Sequence, residues 1–159
     1  MSKHIPVAPN LQLSPAPKVA IISSRFNTSI TGGLKNGALE WLEERGITDV
    51  DVYDAPGAFE LPILAQRLAK SGQYEGVICL GCVIKGDTAH FEFISLGATI
   101  GIMQAQLATE VPIAFGILTT YTEQQAVDRS RADAENKGRE AAAACVETLA
   151  FLRNVPARS

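Results

Sequence analysis

From residue 18 onward, short apolar runs alternate with longer stretches whose apolar positions recur every three or four residues. KVAIIS (residues 18–23) is a continuous apolar run of strand length, rich in β-branched side chains. After the polar SRFNTS, the spacing predicts a helix over about residues 30–45, with Ile30, Leu34, Ala38 and Trp41 on its inner side and Gly46 as its C-terminal stop. DVDVYD (49–54) alternates as a strand near a sheet edge does. A helix carrying Leu61, Leu64, Ala65 and Leu68 follows; Pro62 sits in its first turn, where a missing N–H is harmless, and Gly72 ends it. VICLGCVI (77–84) is apolar on both faces, as a central strand must be.

The segment over about 91–109 is apolar nearly all the way round, so it is expected to be buried on more than one side, with another subunit as its second partner. Gly97 and Gly101, four apart, are expected to admit another backbone there. PIAFGIL (112–118) predicts a fourth strand. Thr122 with Gln125 opens a short helix to about Arg131, and an alanine-rich helix runs over about 137–153. The order β-α-β-α-β-α-β-α-α implies a parallel sheet with right-handed crossovers and helices on both faces: a three-layer α/β/α sandwich in one domain over 18–155. Half of the eight prolines fall in the first 17 residues, which are therefore expected to be an arm, with Leu11 and Leu13 able at most to pair along a sheet edge; 156–159 is a tail.

Composition narrows the function by exclusion. A chain of 159 residues with 47% apolar and 19% charged residues buries a core of its own. A formal charge of -3 excludes a nucleic-acid binder that relies on a basic face. The longest apolar run is too short for a membrane span, the N-terminus has no secretory h-region, and three cysteines suit a reducing cytoplasm. Cys79 and Cys82 have C-x-x-C spacing, but residues three apart on a strand face opposite ways, so neither a redox dithiol nor a zinc site is expected. No other His, Cys and carboxylate spacing suggests a metal, and no glycine-rich nucleotide loop is present.

Ligands of open parallel sheets bind at the carboxyl ends of the strands. The segments leaving those ends are SRFN (24–27), APGAFE (55–60), KGDTAH (85–90) and TTYT (119–122). His90, one of two histidines, falls at the mouth of the third strand, where it either moves protons near neutral pH or caps the next helix. Gly86, Asp87 and Thr88 lead into that helix as an ordinary turn or a phosphate seat, with Arg129, Lys85 and Lys137 as candidate cations. Phe26 and Phe59 lie in polar loops, placed to stack on a planar ring or to plug the core; Glu60 is a helix-start carboxylate or an acceptor for sugar hydroxyls.

Together these segments resemble the 6,7-dimethyl-8-ribityllumazine synthase family of riboflavin biosynthesis. The resemblance rests on SRFN, PGAFE–P, LG–VIKGDT–HFEFI, FGILT and R–(x)₅–ENKG–E, in order from about Lys18 to Leu152. It implies a flavodoxin-like fold and a cofactor-free, metal-free condensation of 5-amino-6-(D-ribitylamino)uracil with 3,4-dihydroxy-2-butanone 4-phosphate, releasing phosphate and water. Phe26 then stacks on the pyrimidine, Ala58, Phe59 and Glu60 hold the ribityl chain, and Cys82, Val83 and Ile84 meet the pyrimidine edge mainly through backbone. Phe115 comes from a neighbouring subunit. Asp87, Thr88 and Arg129 match the phosphate seat and His90 the proton-transfer residue, with Asn27, Lys137 and Glu140 in support. The implied partners are the two small substrates, further copies of the chain in a pentamer or its multiples with shared sites, and riboflavin synthase. The proline-laden arm then adds a strand to a neighbour's sheet.

SRADAE (130–135) departs from the family's Gly- and Lys-containing turn associated with sixty-subunit shells, so a pentamer is expected and the shell is left open. Two other classes stay open. One is a flavodoxin-like FMN-binding module using the hydroxyl-rich Thr28–Thr31–Gly32 stretch; the other is an inactive, shell-forming family member.

Overall fold

The computed structural model describes residues 11–157. Four parallel strands, β1 (Val19–Ser24), β2 (Val50–Ala55), β3 (Gly76–Ile84) and β4 (Ile113–Thr120), form one sheet in the order β2-β1-β3-β4. The helices are α1 (Thr28–Glu43), α2 (Leu61–Lys70, entered through a 3₁₀ turn at Ala58–Glu60), α3 (His90–Thr109), α4 (Glu123–Ser130) and α5 (Lys137–Asn154). β1 and β3 take the two central places and β2 an edge; the central place of β3 and the edge place of alternating β2 are those their patterns predicted. Each strand feeds its two sides to separate cores. Val19, Ile21, Ile78, Leu80 and Cys82 pack under α1, α4 and α5, whereas Ile22, Val77 and Cys79 pack under α2 and α3. Cys79 and Cys82 thus stand on opposite faces of β3, and the C-x-x-C spacing carries no dithiol.

Most boundaries fall within two residues of the hydrophobic period. Gly46 and Gly72, where helix stops were expected, both adopt a left-handed φ of 73° that other residues avoid. The N-cap at Thr122 forms as its spacing predicted: its Oγ1 accepts from Gln125 N at 3.2 Å, while Gln125 Oε1 accepts from Tyr121 N at 3.0 Å. Of the expected arm, residues 1–10 lie outside the described residues. Its end is tied to the domain: Leu11 and Leu13 pack against the α1/α5 core rather than along a strand, and Arg153 donates to the Pro15 carbonyl at 2.9 Å.

Within the single chain one side of α3 is buried, through Ala98, Ile102 and Ala105, while Phe93, Leu96, Ile100, Met103 and Leu107 are exposed on the side where another subunit is expected. One expectation about α3 needs correction. Gly97 and Gly101 do not open onto another subunit. A Cβ on Gly97 would lie 2.9 Å from the Phe59 ring, and one on Gly101 would lie 2.7 Å from Pro62. These glycines let the 3₁₀ turn and α2 of the same chain lie close against α3, which fixes Phe59 relative to His90 at the start of α3.

Asn136 is the polar keystone of the other layer. It is buried to 1% exposure, and all four of its side-chain bonds are to backbone. Its Nδ2 donates to the carbonyls of Gly33 and Arg131, and its Oδ1 accepts from the first free amides of α5, Gly138 N and Arg139 N. The residue therefore caps α5 and ties the α4–α5 loop to α1. A capping amide with every bonding group used is worth having, because each buried group left unmatched costs about 1–3 kcal/mol.

Candidate active site

The carboxyl ends of β1, β2 and β3 surround a cavity of about 410 Å³. Phe26 and Asn27 enter it from the β1 loop; Ala58, Phe59 and Glu60 enter from the 3₁₀ turn after β2. Cys82, Val83 and Ile84 line it from the last three residues of β3, and His90 lines it as the first residue of α3. Nine of the residues singled out from the sequence thus line one space. Phe26 and Phe59 are 67% and 59% exposed, so within this chain neither ring plugs the core. His90 is exposed as well, and the helix cap expected as its alternative role is not seen, since no hydrogen bond of its ring is found among the described residues.

Local sequence explains this geometry. Asn27 adopts a left-handed φ of 55°, a conformation that asparagine tolerates better than most residues, and it turns the chain sharply from β1 into α1. Its side chain caps no helix; Nδ2 instead donates to the Cys82 carbonyl at 3.1 Å, tying the Phe26 loop to the end of β3. The Cys82 side chain points into the α1/α5 core, where burial pushes its thiol up to about 11. It is a thiol, not a thiolate, at neutral pH, so this residue meets the cavity through its backbone.

Gly57 is a site residue that the motif contains but residue-by-residue reading did not single out. A Cβ there would lie 3.3 Å from the Phe26 ring and 3.1 Å from Glu60 Oε2. Its backbone is extended, so alanine meets no conformational barrier and acts only by crowding these two side chains. Gly57→Ala is expected to raise the KM for a ligand held between Phe26 and Glu60 about 3–10-fold, with the melting temperature close to wild type. Steady-state kinetics beside a thermal melt checks both halves.

The remaining candidates lie elsewhere. Phe115, Arg129, Lys137 and Glu140 line a second cavity of about 390 Å³ between the β4 edge and α5. Lys137 Nζ is paired with Glu140 Oε2 there, and Arg129 Nη1 donates to the Gln125 carbonyl at 2.9 Å. Asp87 and Thr88 are exposed in the loop before α3, outside both cavities. Within one chain Arg129 therefore does not share a cavity with His90. Lys85, a candidate phosphate cation, is occupied otherwise: its Nζ lies 3.3 Å from Glu92 Oε1 and 5.5 Å from the Tyr121 ring centre.

The hydroxyl-rich Thr28–Thr31–Gly32 stretch is no phosphate loop. It forms the first turns of α1, and Thr31 Oγ1 is directed at the carbonyls of Asn27 and Thr28. Among the described residues, no helix is long and apolar enough to cross a membrane, and no group of three or more His, Cys, Asp or Glu is gathered as metal ligands.

Comparison with known proteins agrees with the resemblance seen in the motifs. A 6,7-dimethyl-8-ribityllumazine synthase 1 of Caulobacter vibrioides is 60% identical over 141 residues, 87% of this chain and 92% of the relative. Proteins named 6,7-dimethyl-8-ribityllumazine synthase from Deinococcus deserti and Salinibacter ruber are each 48% identical, over 87% and 85% of this chain and 90% and 88% of their own lengths. The family described as 6,7-dimethyl-8-ribityllumazine synthase matches residues 16–153, nearly the whole described chain, and the protein belongs to that family.

Proposed function

We propose that the chain condenses 5-amino-6-(D-ribitylamino)uracil with 3,4-dihydroxy-2-butanone 4-phosphate to 6,7-dimethyl-8-ribityllumazine, the penultimate step of riboflavin biosynthesis. The observation that carries this reading is the 410 Å³ cavity, which gathers an exposed ring, a carboxylate and an imidazole at the ends of the first three strands. Phe26 stacks on the pyrimidine, the turn Ala58–Glu60 holds the ribityl chain with Glu60 accepting from its hydroxyls, and the backbone of residues 82–84 reads the pyrimidine edge. His90 moves the protons. The substrate amine attacks the ketone to give an imine with loss of water, phosphate leaves by elimination, and the ring closes with loss of a second water. Each step needs alignment and proton transfer, and alignment alone supplies about 7–11 kcal/mol at best.

The separate placing of Phe115 and Arg129 supports a site shared between copies. One chain provides the pyrimidine cavity, the loop with Asp87 and Thr88, and His90; its neighbour provides Phe115 and Arg129, with Lys137 and Glu140 behind them. The assembly is a cytoplasmic pentamer or a multiple of one, the single domain spans 18–155, and riboflavin synthase uses the product. The exposed apolar side of α3 is in keeping with such an assembly.

Mixing the purified protein with both substrates should give lumazine absorbance and fluorescence well above the uncatalysed rate; no increase would overturn the enzyme reading. Arg129→Ala should raise the KM for the butanone phosphate about 10–100-fold with little change for the pyrimidine, as loss of a charge-assisted contact does. Slowed His90→Ala and weakened Arg129→Ala proteins, unfolded together and refolded as a mixture, should regain activity, because some shared sites then receive both wild-type halves. A mixture no better than its parts would place both residues in one chain's site.

A further inference from the structure

The loop that carries Asp87 and Thr88 has little of its own to hold it. Residues 86–89 are exposed, and among the described residues its side chains contribute one long hydrogen bond, from His90 N to Thr88 Oγ1 at 3.4 Å. Its base, however, is closed by side chains from outside it. β3 and β4 remain paired to their last residues, Ile84 opposite Thr120, and Lys85 N still donates to the Thr120 carbonyl at 2.9 Å. The next residues, Lys85 and Tyr121, therefore leave the sheet side by side. After the loop, the first turn of α3 brings Phe91 and Glu92 back over them. The Phe91 and Tyr121 rings are 6.0 Å apart, Lys85 Nζ lies over the Tyr121 ring, and Lys85 also pairs with Glu92 at 3.3 Å.

We propose that Lys85, Glu92 and Tyr121 form a clamp that positions the loop 86–89, and with it the start of α3 at His90, for the phosphate-bearing substrate. Lys85 is then a positioning residue and not the cation of the phosphate seat. Both members of the ion pair are about half exposed, at 43% and 53%, so the pair adds little to global stability. Its effect falls on the loop instead, because it joins the residue before the loop to the first turn after it, and a bound anion would otherwise have to order those four residues itself. The inference rests on the proposed function for its substrate, but the clamp is also readable without turnover.

Steady-state kinetics of Lys85→Met, Glu92→Gln, the double variant and Lys85→Arg tests it. A clamp predicts that Lys85→Met and Glu92→Gln each raise the KM for the butanone phosphate about 3–10-fold, that the double variant is no worse than either, and that Lys85→Arg stays within about 2-fold of wild type. A direct phosphate contact by Lys85 predicts the opposite sign for Glu92→Gln, since removing the competing carboxylate frees the ammonium and lowers that KM. That result, additive effects, or unchanged KM values would overturn the clamp. Amide hydrogen exchange gives the second measurement. Faster exchange over 86–92 in both single variants, with the sheet unchanged, is expected; unchanged exchange would overturn the clamp even if the wild-type protein made no lumazine, a result that would by itself count against the proposed function alone.

Discussion

Replacing His90 with alanine is expected to lower the turnover number for lumazine formation by about 10²-fold, near the lower end of what a positioned general acid–base contributes. The lower end applies because the proton transfers are spread over several steps, and His90 lines its cavity as an exposed residue, where water or buffer replaces part of its work. The residual rate should still exceed the uncatalysed reaction, since the rings, Glu60 and the strand-end backbone that align the substrates are untouched. Both KM values should stay within about 3-fold, because the imidazole acts mainly on the transition states. Added imidazole should restore part of the rate, as the truncated side chain leaves open space at an accessible position. A variant retaining turnover within about 3-fold of wild type would remove His90 from the proton-transfer role and leave it as the first residue of a helix.

That experiment depends on geometry that was partly legible in the sequence. The strands are short apolar runs, and only one side of each of α1, α2 and α5 needed burial, so their faces followed from spacing. Once the strands were parallel, their carboxyl ends had to face one way, and SRFN, PGAFE and VIKGDTAH were brought to one cavity by topology alone. β4 is what broke the pattern. It is an edge strand, its Phe115 is 43% exposed, and the cavity beside it lies toward α5, away from the one that β3 helps to form. A strand-end rule applied to one chain cannot separate these two spaces, because it places residues along the sheet without saying which side they serve.

What spacing missed are residues whose role is set by tertiary contact. Nothing apolar marks Asn136; it stands in the ENKG motif directly before a helix, and that place predicts a cap without predicting the reach to Gly33. Gly97 and Gly101 were correctly seen as a close approach, but the approaching segment turned out to be Phe59 and Pro62 of the same chain. The edge network in which the Tyr74 hydroxyl donates to Asp51 Oδ2 at 2.6 Å joins a strand to a loop 23 residues away, a distance at which sequence periodicity says nothing. Hydrogen bonding from Tyr74 holds the Asp51 carboxyl below its ordinary range, with Lys18 nearby adding to the effect.

The same glycine-to-alanine change is expected to have opposite signs at two positions on the α1 side of the fold. At Gly32, inside α1, an added Cβ meets nothing within 4 Å, so alanine brings only its better helix propensity and should stabilise by about 0.5–1 kcal/mol. At Gly138, in the first turn of α5, the Cβ would stand 1.8 Å from the Leu34 carbonyl oxygen and 2.6 Å from its carbon. Those atoms are helix backbone and cannot rotate away, so α1 and α5 must separate. The movement also draws on Asn136, whose Oδ1 accepts from Gly138 N and whose Nδ2 holds Gly33, and it loosens the packing of Leu34 and Ala142 in the shared core. Overpacking of this kind costs about 1–3 kcal/mol and more when backbone is the obstacle, so Gly138→Ala should lose at least about 3 kcal/mol. For a chain of this size that is a fall of roughly 6–12 °C in the melting temperature, against a rise of about 1–4 °C for Gly32→Ala. Because Lys137 and Glu140 share the displaced turn with Gly138, the Phe115–Arg129 cavity should be disturbed before the one that holds His90. Gly138→Ala should therefore raise the KM for the phosphate substrate more than that for the pyrimidine. Melting within about 2 °C of wild type would show that the α1–α5 contact yields at little cost, and equal effects on both KM values would place the disturbance outside that cavity.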